Sequence, residues 1–176
     1  MDALLSTEGK IMTEIKPFQT ILYATNIGDT MRPVFRQALN MARIHNAKII
    51  MLHAVAPIGT TGQAVLSMYL PDKEVNDIEQ ETMNQVIETM RERLRNYGNN
   101  VEADFMKDKD QLIDKIAVSA GNPADVILHY AEHHPIDLIV IGSHTRPVKH
   151  GAMLGSTARG VTLHSKVPVL IVPNGE

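Results

Sequence analysis

Apolar positions fall along this chain in two alternating rhythms. Phe18–Thr25 (FQTILYAT), Lys48–Val55 (KIIMLHAV), Asp137–Gly142 (DLIVIG) and Val167–Val172 (VPVLIV) carry short apolar runs rich in β-branched residues. Runs of that length and type predict strands buried on both faces. Between them the spacing is helical. Phe35, Leu39 and Ala42 recur at i, i+4 and i+7 and predict a helix over Thr30–Asn46. Pro33 in its first turn removes only an N–H that would be unpaired there. Met83, Ile87, Met90, Leu94 and Tyr97 predict a long helix over Lys73–Tyr97, with Glu88, Arg91, Glu92 and Arg95 as a solvated opposite face. Val126, Ile127, Tyr130 and Ala131 mark a third helix over Ala124–His133, stopped by His134-Pro135.

The pattern is weaker elsewhere. Lys115–Ala120 is the third strand in order, leading into the turn Gly121-Asn122-Pro123, and Asp104–Asp114 before it reads as an insertion. Residues 1–15 have no periodicity and read as a flexible arm, with Met12 as an alternative start; residues 16–176 then form one domain. Strands alternating with helices, without a hairpin signal, predict an α/β fold: an open five-stranded parallel sheet with helices on both faces.

The most informative stretch runs from Asp137 to Pro173. A strand ends at Gly142, and Gly155 precedes Ser156 and Thr157, where helical spacing resumes through Ala158, Val161 and Leu163. Hydroxyl residues before such a run are helix-start signals. A glycine-punctuated loop feeding a helix N-terminus suits an anion, because unpaired N–H groups and the positive end of the macrodipole meet there. Neither G-x-x-x-x-G-K-[ST] nor G-x-G-x-x-G is present. Shaping a turn and a helix entry accounts for the glycines equally well.

Gly142, Gly155 and Ser156 resemble the nucleotide-binding signature of the universal stress protein family. That signature is Gly, two residues, Gly, nine residues, then Gly with Ser or Thr; Thr145 stands at the second glycine here. The flanks DLIVIGSH and VPVLIVP also match in type, and the resemblance extends over Ile15–Pro173. It implies a Rossmann-like sheet of order 3-2-1-4-5. The loops after the first and fourth strands then meet at a switch point, where such sheets bind ligands. The implied ligand is ATP or another adenine nucleotide, with or without Mg²⁺. The implied site comprises Ala24, Thr25, Asn26, Val55, Ile141, Gly142, His144, Thr145, Gly155, Ser156 and Thr157. Asn26 replaces the family's aspartate, keeping an acceptor and losing the charge. The resemblance also implies a homodimer joined through Val167–Val172, an apolar edge strand open to pairing.

Composition narrows the remaining choices. Zero cysteines exclude disulfides and cysteine zinc sites and suit a reducing cytoplasm. No apolar run approaches the roughly 20 residues a membrane-spanning helix needs. A net charge of −3 and 4% aromatic residues give no reason to expect a nucleic acid or an anionic membrane as partner. Arg146, Lys149 and His150 read either as cations closing over phosphates or as an exposed loop. His53 and His144 read as hydrogen-bonded structural histidines before ligands, and His129, His133 and His134 as a helix C-terminus without a metal. No Ser-His-Asp or paired-carboxylate spacing is visible.

Three readings follow: a nucleotide-binding regulatory protein with at most slow ATP hydrolysis, a dimeric interaction module of the same fold that binds no nucleotide, and an enzyme on a related α/β fold. The last rests on fold analogy alone.

Overall fold

The computed structural model describes residues 16–26, 28–55, 68–69, 72–97, 109–144 and 153–174. Its strands are β1 (Thr20–Thr25), β2 (Lys48–Val55), β3 (Ile113–Ala120), β4 (Leu138–Gly142) and β5 (Val169–Val172). The helices are α1 (Arg32–His45), α2 (Asp72–Tyr97), the single turn α3 (Lys109–Leu112), α4 (Pro123–His133) and α5 (Ser156–His164). All pairings are parallel, in the order β3-β2-β1-β4-β5. That is the order the family resemblance implied.

Strand alternation builds two cores from one sheet. Ile21, Tyr23, Ile49, Met51, Leu138 and Val140 pack with Val34, Phe35, Ala38 and Leu39 of α1 and Met90 of α2. Leu22, Ala24, Ile50, Leu52, Ile139 and Ile141 pack on the opposite face with Val126 and Ile127 of α4 and Ala158 and Val161 of α5. Gly160 lets the second pair of helices close up, since a Cβ there would lie 3.1 Å from the Cβ of Ala124.

Two strand expectations change. All five strands were expected to be buried, yet β3 and β5, at the sheet's edges, are largely half-exposed, whereas β4 is buried throughout. Edge strands have a neighbour on one side only, so their side chains keep more contact with water. The insertion expected over Asp104–Asp114 is shorter at its carboxyl end, because Lys109–Leu112 is helical and β3 begins at Ile113. Ile49 pairs with Ile113 and Ile50 with Lys115, so Asp114 is the extra residue of a β-bulge. A bulge accommodates the charge that disguised the strand. The expected arm 1–15 and residues 101–108 lie outside the described residues. Among the described residues, no helix is long and apolar enough to cross a membrane.

Candidate functional site

A cleft opens at the carboxyl ends of β1, β2 and β4, on the α4–α5 face of the sheet. Its floor is apolar: Ala24 of β1, Leu52 and Ala54 of β2 and Ile141 of β4. Pro123 and Ile127 of α4 form one wall, and Gly155, Ser156, Thr157 and Ala158 at the start of α5 form another. Thr25, Asn26, Met31, His53, Gly142, Ser143 and His144 complete the described lining, which contains no charged carboxylate, lysine or arginine.

The start of α5 departs from the sequence expectation in a way that matters chemically. Gly155 is the N-cap residue, and Ser156 and Thr157 are the first residues of the helix rather than its cap. No side chain among the described residues caps it. The Gly155 N–H is taken by the Ser143 carbonyl at 2.9 Å, and the Gly155 carbonyl accepts the first intrahelical bond, from Arg159 N–H at 2.9 Å. The N–H groups of Ser156, Thr157 and Ala158 therefore have no intrahelical partner, as in any first helical turn, and they face a cleft with a positive dipole end behind them.

Each signature glycine has a close neighbour of its own. A Cβ at Gly155 would lie 3.0 Å from the Ser143 carbonyl oxygen, so glycine lets the helix start pack closely on the end of β4. A Cβ at Gly142 would lie 2.7 Å from Asn174 Nδ2. Space that the sequence alone assigns to an approaching phosphate is, at Gly142, occupied by the side chain of Asn174, just after β5.

Hydrogen bonds fix the polar lining. The ring Nδ1 of His53 lies 2.9 Å from the Thr25 carbonyl, which can only accept, so Nδ1 carries the proton and donates. Thr25 Oγ1 donates to the Asn26 carbonyl at 2.6 Å. Asn26 Oδ1 accepts the Gly28 N–H at 2.8 Å, an Asx turn that an aspartate would make equally well. His144 Nε2 donates to the Met153 carbonyl at 2.6 Å and thereby ties together the two ends of the segment 145–152. Asn174, 5% exposed, lies against this end of β4. Its Oδ1 accepts from His144 N–H at 2.9 Å and from Ser143 Oγ at 3.1 Å, and its Nδ2 donates to the His144 carbonyl at 2.8 Å.

Of the residues named from sequence, Ala24, Thr25, Asn26, Ile141, Gly142, His144, Gly155, Ser156 and Thr157 line the cleft together. Val55 does not; Ala54 lines it instead. Leu52 and Ala54 belong to the α4–α5 core, and Val55, beyond them at the end of the strand, alternates away from that face. The Val55 carbonyl accepts the Gly121 N–H at 2.9 Å, a backbone link at the end of the strand. Thr145, Arg146, Lys149 and His150 lie outside the described residues. Sequence reasoning missed Leu52, Ala54, Ser143, Pro123, Ile127 and Asn174. Alternation along β2 carried a usable signal for the first two, while Asn174 had none.

His129, His133 and His134 lie away from the cleft, on and just after the carboxyl end of α4. Nδ1 of His133 and of His134 donates to the carbonyl four residues back, of His129 and Tyr130. Beside them, the Lys166 ammonium lies 2.8 Å from Glu132. Hydrogen bonding and charge from Lys166 hold the Glu132 carboxyl below the usual carboxylate range and raise the Lys166 ammonium in turn. Among the described residues, no three His, Cys, Asp or Glu side chains are grouped to hold a metal.

A fold of this order, with its cleft at the switch point, matches known proteins over nearly its whole length. The sequence pattern of the universal stress protein family matches residues 17–173. A universal stress protein of Methanocaldococcus jannaschii is 25% identical over 159 residues, covering 88% of this chain and 94% of that protein. The structure of the universal stress protein UspA from Lactobacillus plantarum is 25% identical, with a TM-score of 0.63 over 89% of this chain and 98% of that one. A universal stress protein crystallised in complex with cAMP is 22% identical, with a TM-score of 0.54 over 90% of this chain and 98% of that one. The chain belongs to the universal stress protein family.

Proposed function

We propose that the cleft holds an adenine nucleotide and that this universal stress protein acts through the bound and free states rather than by rapid turnover. The observation that carries this reading is the pairing of an apolar floor with an uncapped helix start. A purine face suits Leu52, Ala54, Pro123 and Ile127, while the N–H groups at the start of α5 suit phosphate oxygens. The relative crystallised with cAMP is consistent with that ligand class. Binding of Mg²⁺ would depend on the phosphates, because the described lining offers hydroxyls and carbonyls but no carboxylate. The absence of cysteine is in keeping with a reducing cytoplasm as the site of action. A homodimer paired across β5 is part of the same proposal, supported by the position of β5 at the open edge of the sheet.

The test is nucleotide release. Purified protein is denatured, and the supernatant is resolved by anion exchange, alongside thermal melting with and without millimolar ATP. ATP, ADP or AMP near one per chain, or a clear rise in Tm, supports the reading, and Gly155→Val abolishes either signal by pushing the helix start off Ser143. Empty protein with an unmoved Tm overturns it and leaves the dimeric interaction module.

A further inference from the structure

We propose that Asn174 is a positioning residue for the phosphate end of the cleft, which makes the segment that follows β5 part of the binding apparatus. The inference rests on the nucleotide reading above for what the site binds, but its geometry stands apart from it.

Asn174 is the one buried polar side chain among the described residues, and both ends of its amide are committed. Oδ1 accepts the His144 N–H and Nδ2 donates to the His144 carbonyl, at 2.9 and 2.8 Å. The side-chain amide thus pairs with one residue's backbone as a neighbouring strand would. Such two-point pairing fixes the orientation of a peptide group as well as its position. The same Nδ2 reaches Met31 Sδ at 3.5 Å, and the Asn174 N–H lies 3.4 Å from Ser143 Oγ. One side chain therefore joins the segment after β5 to the end of β4 and to the β1–α1 connection, both of which border the cleft.

The consequence reaches α5. Ser143 and His144 carry the groups on which the helix start rests: the Ser143 carbonyl accepts the Gly155 N–H, and the His144 ring donates to the Met153 carbonyl. Asn174 holds those two residues from behind. Gly142 is the complement of this clamp, because a side chain there would displace the amide. Buried amides satisfied on every side specify a single arrangement, and a partly satisfied one does not. Removing the amide frees the Ser143–His144 backbone and, through it, the direction in which the α5 N–H groups point. Leu52 and Ala54 of the apolar floor and Ile127 of the wall share none of these contacts.

The experiment compares adenosine with ATP. Titration calorimetry is run with the wild type, Asn174→Ala and the near-isosteric Asn174→Asp, which keeps the acceptor and loses the donor to His144. The expected result is an ATP affinity at least tenfold lower in both variants with adenosine affinity changed less than twofold. A merely structural role would lower both affinities together, and a bystander would lower neither; each result overturns the proposal. Hydrogen exchange on ligand-free protein keeps the question open to refutation if the alanine variant is too unstable or the wild type binds neither ligand. Exchange of the His144 and Gly155 amides is expected to accelerate at least tenfold in Asn174→Asp while β1 and β2 stay protected. If the wild type binds nothing but exchange accelerates there, the nucleotide reading fails and the clamp stands. Unaltered exchange overturns the clamp itself.

Discussion

Gly142 and Asn174 occupy complementary halves of one space: a Cβ on the first would lie 2.7 Å from Nδ2 of the second and 2.9 Å from its Cγ. Gly142 cannot gain a side chain while the Asn174 amide keeps its place. Gly142→Ala is expected to destabilise the protein by about 1–3 kcal/mol, the usual range for overpacking a filled site. Adding Asn174→Gly should recover part of that loss, since the new methyl then meets empty space. A double-mutant cycle from urea midpoints reads this directly. Strict additivity of the two changes would show that the two side-chain volumes do not compete.

Parity along β2 makes a second prediction. Ala54 lines the cleft and Val55 does not. Ala54→Leu adds bulk where the purine would lie and is expected to reduce adenosine binding at least tenfold. Val55→Leu, one position on, is expected to change binding less than twofold. Equal effects in calorimetry would place the base elsewhere.

How far the sequence was legible follows from the range of the interactions involved. β1, β2 and β4 were plain because burial on both faces leaves an unbroken apolar run. β3 was harder, since Asp114 and Lys115 interrupt it; the strand tolerates them because both are exposed at the edge of the sheet and Asp114 sits in a bulge. Residues at the strand ends announced the cleft through glycine and hydroxyl signals that act within a few positions of one another. Asn174 could not be found that way. Its partners Ser143 and His144 are about 30 residues distant in sequence, and its side chain is committed only once β4 and β5 lie side by side. Val55 differs in kind: Ala54 beside it lines the cleft, and the alternation that separates the two is legible within KIIMLHAV itself.

Asp137 illustrates a polar residue whose work is architectural. Its Oδ2 accepts the backbone N–H groups of Gln19 at 2.8 Å and Thr20 at 2.9 Å, fastening the start of β1 to the start of β4. Hydrogen bonds to a charged acceptor contribute more than neutral ones, and solvent at Gln19 moderates the effect here. Asp137→Ala is expected to cost about 1–2 kcal/mol of stability. It lies at the opposite edge of the sheet from the cleft, so nucleotide affinity at a temperature well below Tm should not move. A large drop in affinity without a drop in Tm would contradict this division of roles.

The open edge of the sheet carries the last prediction. Ile139 N–H donates to the Pro168 carbonyl and Ser143 N–H to the Val172 carbonyl, both at 2.9 Å. Backbone groups at even positions of β5 therefore face β4, and alternation turns those of Val169 and Ile171 toward the edge. An apolar edge with unpaired N–H groups invites a second copy of itself, and a two-fold axis across β5 would satisfy both chains at once. The wild type is expected to sediment as a dimer at micromolar concentration. Ile171→Pro removes one outward N–H without breaking a bond to β4, and proline is tolerated in that position of an edge strand. The variant is expected to sediment as a monomer with its far-ultraviolet circular dichroism unchanged. A wild-type monomer would refute the pairing outright. A variant that remains dimeric would move the interface off β5, because no dimer zipped through this strand can ignore the loss of a donor at its centre.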